Sequence, residues 1–266
     1  MARGAVAALE FQGPAAVLAV LLLEIAVGSL AVLVLSPVWD VVKRGYFLLV
    51  GWTVGVCAVL AALAAPDRSA AMMAFAGHAV LLVVLLHMRK SAVASAVGGA
   101  FPTTRVFGAF GVVVGALALV EIAQERASGR VGGALAVLAG AAFLGATWNG
   151  MVLGHWYLVD RKLTVDPMRW HAWAFTAGIA LALVSAALAK GGEVTGAETS
   201  LNPLLLVSDL TLYLAFGLVA VNALLSFFVH KLVNEGSIRA ATGMLYLAVI
   251  MALSAEFAAK ARFFTV

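Results

Sequence analysis

Long apolar runs alternate with short polar segments along the whole chain. The runs are close to the about 20 residues that a helix needs to cross a bilayer. They occupy residues 14–39, 46–65, 70–88, 104–122, 131–160, 170–189, 204–231 and 240–258. The connections between them, such as "PDRS" and "KLVNEGSIR", are too short to hold a second domain. The pattern predicts an all-α, polytopic integral membrane bundle of about eight transmembrane helices. Residues 1–266 would then form a single transmembrane domain, with consecutive helices antiparallel.

The composition supports a membrane location. The chain is 64% hydrophobic and 11% charged, whereas soluble domains average about a quarter charged residues. The lipid bilayer is therefore the expected surrounding of the bundle. The net charge of +4 is spread over short loops, and no nucleic-acid partner is predicted. The single cysteine, Cys57, excludes an intrachain disulfide and a Cys pair for zinc or covalent haem c.

Lys and Arg are unevenly divided between the two membrane faces that this helix order implies. The face with more of them, here the basic face, carries Lys43, Arg44, Arg89, Lys90, Arg105, Arg161, Lys162, Arg169, Lys231 and Arg239. The opposite face carries Arg3, Arg68, Arg126, Arg130, Lys190, Lys260 and Arg262. The positive-inside rule then favours both termini on the outer side. The expected location is a bacterial-type inner (plasma) membrane.

Ionisable residues inside apolar spans are costly, so they are candidates for function. Three carboxylates, Glu24, Asp209 and Glu256, are the predicted proton-handling catalytic groups. Residue counting places Asp209 and Glu256 toward the opposite face and Glu24 near mid-depth, together with His78. It places the remaining histidines, His87, His155, His171 and His230, toward the basic face. Imidazoles at one level suit haem ligation, quinone binding or proton relay.

The segment "TWNGMVLGHWYLVDRK", residues 147–162, concentrates polar and aromatic groups in an otherwise aliphatic chain. Its second half is typical of an interfacial aromatic belt followed by a charged exit from the membrane. The deeper Trp148, Asn149 and His155, together with Trp170 beyond the next loop, suit a planar ligand that needs stacking and hydrogen bonds. Cofactor-binding candidates are His155, His87, His171, His230, His78, Trp148, Asn149 and Trp170.

Haem b is allowed by the sequence but not required. His78 and His87 point to opposite faces of one helix, so a bis-His site would pair residues from different helices. The candidate iron ligands are His155, His87 and His230. The other cofactor that fits is a quinone.

Three functions remain open from the sequence. The first is a quinone-interacting membrane subunit of a respiratory oxidoreductase complex, with or without bound haem b, which transfers electrons and protons together with other subunits. The second is a proton- or cation-coupled transporter, in which buried carboxylates couple the ion. The third is an assembly subunit without catalysis, in which buried polar groups only join helices.

Overall fold

The computed structural model describes residues 14–65, 69–88, 101–126, 130–160, 162–188 and 210–264. Within these ranges the chain is helical and has no strand, and eight helices are long and apolar enough to cross a membrane. This agrees with the predicted helical membrane bundle. The helices are α1 (Pro14–Leu35), α2 (Arg44–Ala64), α3 (Ala70–Met88), α4 (Phe101–Arg126), α5 (Arg130–Val159), α6 (Asp166–Leu188), α7 (Leu210–Asn234) and α8 (Ile238–Phe264).

Several helix ends differ from the sequence prediction by a few residues, and two of these differences matter for the site. The first helix ends at Leu35 rather than at residue 39, and a short 3-10 helix, Pro37–Asp40, follows it. Proline lacks an amide donor and its ring clashes with the preceding turn, so Pro37 cannot continue α1. The last helix continues to Phe264 instead of ending at residue 258. This extension places Lys260 within α8 rather than in a loop.

Helix α1 lies at the centre of the bundle. It packs against α2, α4, α5 and α8, and its buried residues occur on all sides of the helix. A helix that is apolar around its whole circumference is expected in such a position. Any ionisable group on α1 is therefore enclosed by protein, and Glu24 is the one that α1 carries.

Glycines bring α1 and α5 into close contact. A Cβ atom on Gly28 would lie 1.7 Å from the carbonyl oxygen of Ala141, and one on Gly145 would lie 2.1 Å from the carbonyl carbon of Gly28. No other residue type fits at this crossing, because small residues alone allow two backbones to approach so closely. The crossing fixes the level at which α1 meets α5 and places Glu24 beside Gly140.

A tight turn joins α7 to α8. Gly236 adopts a φ of 74°, which costs glycine little. The amides of Gly236 and Ser237 donate to the carbonyls of Val233 and Leu232 at 3.1 and 2.8 Å, the pattern of a Schellman cap. The turn holds α7 and α8 side by side as an antiparallel pair.

Candidate functional site

A buried cluster of three charged residues joins the first and last helices of the described chain. The Lys260 ammonium lies 2.9 Å from Glu256 Oε2 and 3.0 Å from Glu24 Oε1. It donates hydrogen bonds to Glu256 Oε2 and, at 3.1 Å, to the carbonyl of Ala136. Its contact with Glu24 has the distance of an ion pair without the alignment of a hydrogen bond. We call Glu24, Glu256 and Lys260 the buried triad.

The triad is shielded from solvent on every side. Glu24, Lys260 and Glu256 are 0%, 2% and 5% exposed. Glycine at position 140 makes room for the two carboxylates, because a Cβ atom there would lie 2.6 Å from Glu24 Oε1 and 2.7 Å from Glu256 Oε2. Helix α5 thus closes the site through Gly140 and also supplies the Ala136 carbonyl to the ammonium.

The charges of the triad do not balance. Two ionised carboxylates and one ammonium leave one negative charge in the low-dielectric interior, which is costly. One bound proton, or one monovalent cation, makes the cluster neutral. Glu24 Oε2 has no hydrogen-bond partner among the described residues, so it is available to receive that proton.

The sequence identified two members of the triad and missed the third. Residue counting places Lys260 beyond the last span, among the exposed charges of the opposite face, whereas it lies within α8 and is 2% exposed. Residue counting places Glu24 and Glu256 at different depths, and the structure brings both carboxylates to one ammonium. The spacing of Glu256 and Lys260, which places them on one helical face, was the available signal. Asp209 lies outside the described residues.

Two of the predicted histidines are used in helix contacts within the bundle. His171 is 1% exposed, with Nδ1 2.8 Å from the Pro167 carbonyl and Nε2 3.4 Å from the Tyr46 hydroxyl. A neutral ring with its proton on Nδ1 satisfies both contacts. His230 Nε2 lies 2.9 Å from Thr176 Oγ1, which in turn is 2.7 Å from Ser226 Oγ. These contacts join α6 to α2 and to α7.

The other three histidines lie in separate environments. His78 is buried and stacks on Phe107 at 3.9 Å between ring centroids. His87 is exposed, with Nδ1 3.0 Å from the carbonyl of Val83 in its own helix. His155 is also exposed, with Nδ1 3.1 Å from the Tyr246 hydroxyl. The five histidines thus contact different neighbours.

The remaining predicted ligand-binding residues also point to different neighbours. Trp148 Nε1 donates to Thr53 of α2 at 3.4 Å, and the Trp170 ring lies 5.2 Å from that of its neighbour His171. Asn149 is fully buried and donates from Nδ2 to the Ser29 carbonyl at 2.8 Å, which joins α5 to α1. The predicted grouping of Trp148 and Trp170 around His155 is not seen in these contacts.

In the part of the chain that the structure describes, no group of three or more His, Cys, Asp or Glu side chains is arranged to hold a metal ion. The proposed ligand set His155, His87 and His230 is therefore not assembled as one such group, and haem ligation by a pair of histidines stays a prediction. Comparisons with known protein families, with characterised proteins and with solved structures find no match.

Proposed function

We propose that this chain is a proton-translocating integral membrane protein whose proton-binding site is the buried triad. The observation that supports it is that two carboxyl groups share one ammonium, in Glu24, Glu256 and Lys260, at 0–5% exposure. Ionisable groups at such depth are rare and are characteristic of proton and ion pathways. Uptake of one proton removes the net charge, and its release restores it.

The triad also connects proton binding to helix contacts. Lys260 bridges Glu24 of α1 and Glu256 of its own helix. Protonation of Glu24 removes the ionic attraction between α1 and α8, whereas protonation of Glu256 leaves that attraction in place. The two protonation states therefore favour different contacts between α1 and α8. A bound proton can drive a conformational cycle only if it changes the relative stability of two conformations in this way.

The proposed setting is a multi-pass protein of a bacterial-type plasma membrane with both termini on the outer side. Removing Lys260 from the loop charges increases the excess of Lys and Arg on the basic face and so favours that orientation. Within this setting the triad serves either a proton- or cation-coupled transporter or the membrane subunit of a respiratory complex that includes other chains. Binding of haem b belongs only to the respiratory proposal.

Proton flux into proteoliposomes tests the proposal. The full chain is reconstituted, a potassium diffusion potential is imposed with valinomycin, and a trapped pH-sensitive dye reports acidification. We expect Glu24→Gln and Glu256→Gln to reduce the flux to that of protein-free liposomes. The matched control is Glu235→Gln, the same change at an exposed residue in the turn after α7.

Two checks of folding and a flux measurement in a sodium gradient complete the test. Circular dichroism and gel filtration establish that each variant is folded. A flux that follows a sodium gradient and ignores the pH gradient would assign the triad to a metal cation instead of a proton. Wild-type flux in both folded triad variants, or no flux above the liposome background in the wild type, would contradict translocation and favour an assembly subunit.

A further inference from the structure

A hydrogen-bonded histidine and tyrosine lie on the outer surface of the bundle. His155 of α5 is exposed, Tyr246 of α8 is 43% exposed, and Nδ1 lies 3.1 Å from the hydroxyl. The two helices are close beneath this pair, since a Cβ atom on Gly154 would lie 2.6 Å from Thr242 Oγ1. The close approach of α5 and α8 holds the two side chains together.

The pair always has one unused hydrogen-bond donor. A neutral histidine carries one N–H and tyrosine carries one O–H, so the pair has two donors. If the Tyr246 hydroxyl donates to Nδ1, the proton on Nε2 of His155 is free. If Nδ1 carries the proton and donates to the hydroxyl, the O–H of Tyr246 is free. In either tautomer, one donor remains for a third molecule.

The surroundings of the pair are apolar. The neighbouring surface of α8 exposes Leu247 (41%) and Ile250 (59%), and Gly243, about one turn from Tyr246, has open space where a side chain would be. His155 lies about 7.5 Å along the helix axis from Asp160, at about 1.5 Å per residue. Asp160 pairs with Lys43, whose side chain is 62% exposed, and a charged pair of this kind is expected at the membrane surface.

Helices α5 and α8 are long and apolar enough to cross a membrane, so a free donor on their outer surface is expected to meet lipid, where an unsatisfied polar group is costly. We propose that the His155–Tyr246 pair binds a carbonyl oxygen of a membrane-dissolved molecule. A quinone head group and the ester of a phospholipid both supply this acceptor in the membrane. The site is independent of the buried triad, because neither His155 nor Tyr246 contacts Glu24, Glu256 or Lys260 through a described hydrogen bond or ion pair.

The first arm of the test uses a decyl-substituted benzoquinone. The full chain is placed in nanodiscs of ether-linked phosphatidylcholine, which has no ester carbonyl, and quenching of the fluorescence of its six tryptophans is titrated. We expect saturable quenching that is about three- to tenfold weaker in affinity for Tyr246→Phe and for His155→Gln, because each change removes the hydrogen bond within the pair that orients the remaining donor. The control Tyr213→Phe changes a tyrosine that is 67% exposed on α7 and should bind as the wild type does.

The second arm tests the lipid. Native mass spectrometry compares the phospholipid retained from ester-linked and ether-linked nanodiscs of equal chain length. Retention of the ester lipid that falls in Tyr246→Phe and His155→Gln, but not in Tyr213→Phe, identifies the ester as the occupant. Saturable quinone binding with the same dependence identifies a quinone.

Either result supports the site, and two outcomes overturn it. The first is that neither quinone quenching nor ester retention depends on His155 or Tyr246 while both variants remain folded. The second is that the variants dissociate an oligomer without changing either form of binding, which would make the pair a protein interface. Glu24→Gln should leave both arms unchanged, so failure of the proton site and failure of this site are distinguishable.

Discussion

The Lys260 ammonium lies 3.0 Å from the Glu24 carboxylate, although these residues belong to the last and the first helices that the structure describes. Burying opposite charges together does not by itself stabilise the fold. The cost of removing those charges from water offsets much of their attraction. Removing one partner is different, since it leaves the remaining charges uncompensated. The stability of the α1–α8 contact should therefore depend strongly on which partner is removed.

Replacing the ammonium should be severely destabilising. Lys260→Met leaves Glu24 and Glu256 facing each other without a cation, and we expect a loss of about 3–5 kcal/mol in unfolding free energy. Denaturation in mixed detergent micelles measures it. The matched control is the triple variant Glu24→Gln/Glu256→Gln/Lys260→Met, which should recover most of the loss. A triple variant as unstable as Lys260→Met would mean that lost packing, not charge, is responsible.

Space at Gly140 is a specific requirement of the triad. Gly140→Ala places a methyl group within 2.7 Å of both carboxylates, and we expect it to cost about 1–3 kcal/mol and to impair proton flux. Gly132→Ala on the same helix meets nothing within 4 Å. This control should be neutral or stabilise by up to about 1 kcal/mol through helix propensity. Equal effects of the two changes on stability and flux would contradict the proposed role of Gly140.

The crossing of α1 and α5 should tolerate substitution even less. A methyl group on Gly28 would meet the Ala141 carbonyl at 1.7 Å, and backbone cannot move aside as a carboxylate side chain can. We expect Gly28→Ala to cost about 3 kcal/mol or more, exceeding Gly140→Ala in the same denaturation assay. Gly77→Ala, which has open space, is the control. A reversed order of Gly28→Ala and Gly140→Ala would argue against this crossing.

Acid stability should depend on the ion pair at the basic face. Lys43 contacts the Asp160 carboxylate at 2.8 Å, and this hydrogen-bonded contact holds the pKa of Asp160 below its usual value. A lowered pKa means that the pair stabilises the fold above about pH 4, the ordinary value for aspartate. That contribution is lost as the pH falls through the lower value of the folded state.

Asp160→Asn should therefore reduce the decrease of thermal stability below about pH 4. Thermal midpoints measured from neutral to strongly acidic pH check this expectation. Glu235→Gln, at an exposed position, should leave the acid dependence as it is in the wild type. An unchanged dependence in Asp160→Asn would show that Lys43 gives Asp160 no preferential stabilisation in the folded state.

Local patterns revealed part of the candidate site. Glu24 and Glu256 stand out because each interrupts an apolar run, and the spacing of Glu256 and Lys260 is visible in the sequence. The pairing of Glu24 with Lys260 is not visible, since it depends on where α1 and α8 meet. Residue counting assigns each residue a depth in the membrane on the assumption that the helices are upright and end where their apolar runs end. Helix α8 instead continues past Lys260 to Phe264.

The histidines show the same limit. Their common level toward the basic face follows from the order of the helices, but partners at one level are set by the rotation of each helix. His171 meets Tyr46, His155 meets Tyr246 and His230 meets Thr176. The rotation of each helix about its axis depends on how its side chains pack against the neighbouring helices. The spacing of the histidines along the chain does not contain that information.

The sequence by itself determined the eight apolar helices, their short connections and the presence of costly ionisable groups within them. It could do so because span length and hydrophobicity are local properties matched to the thickness of a bilayer. Only the tertiary structure decided that Glu24, Glu256 and Lys260 share one site. That meeting depends on the close crossing at Gly28 and Gly145 and on the gap left by Gly140, where contacts between distant residues, not hydropathy, set the geometry.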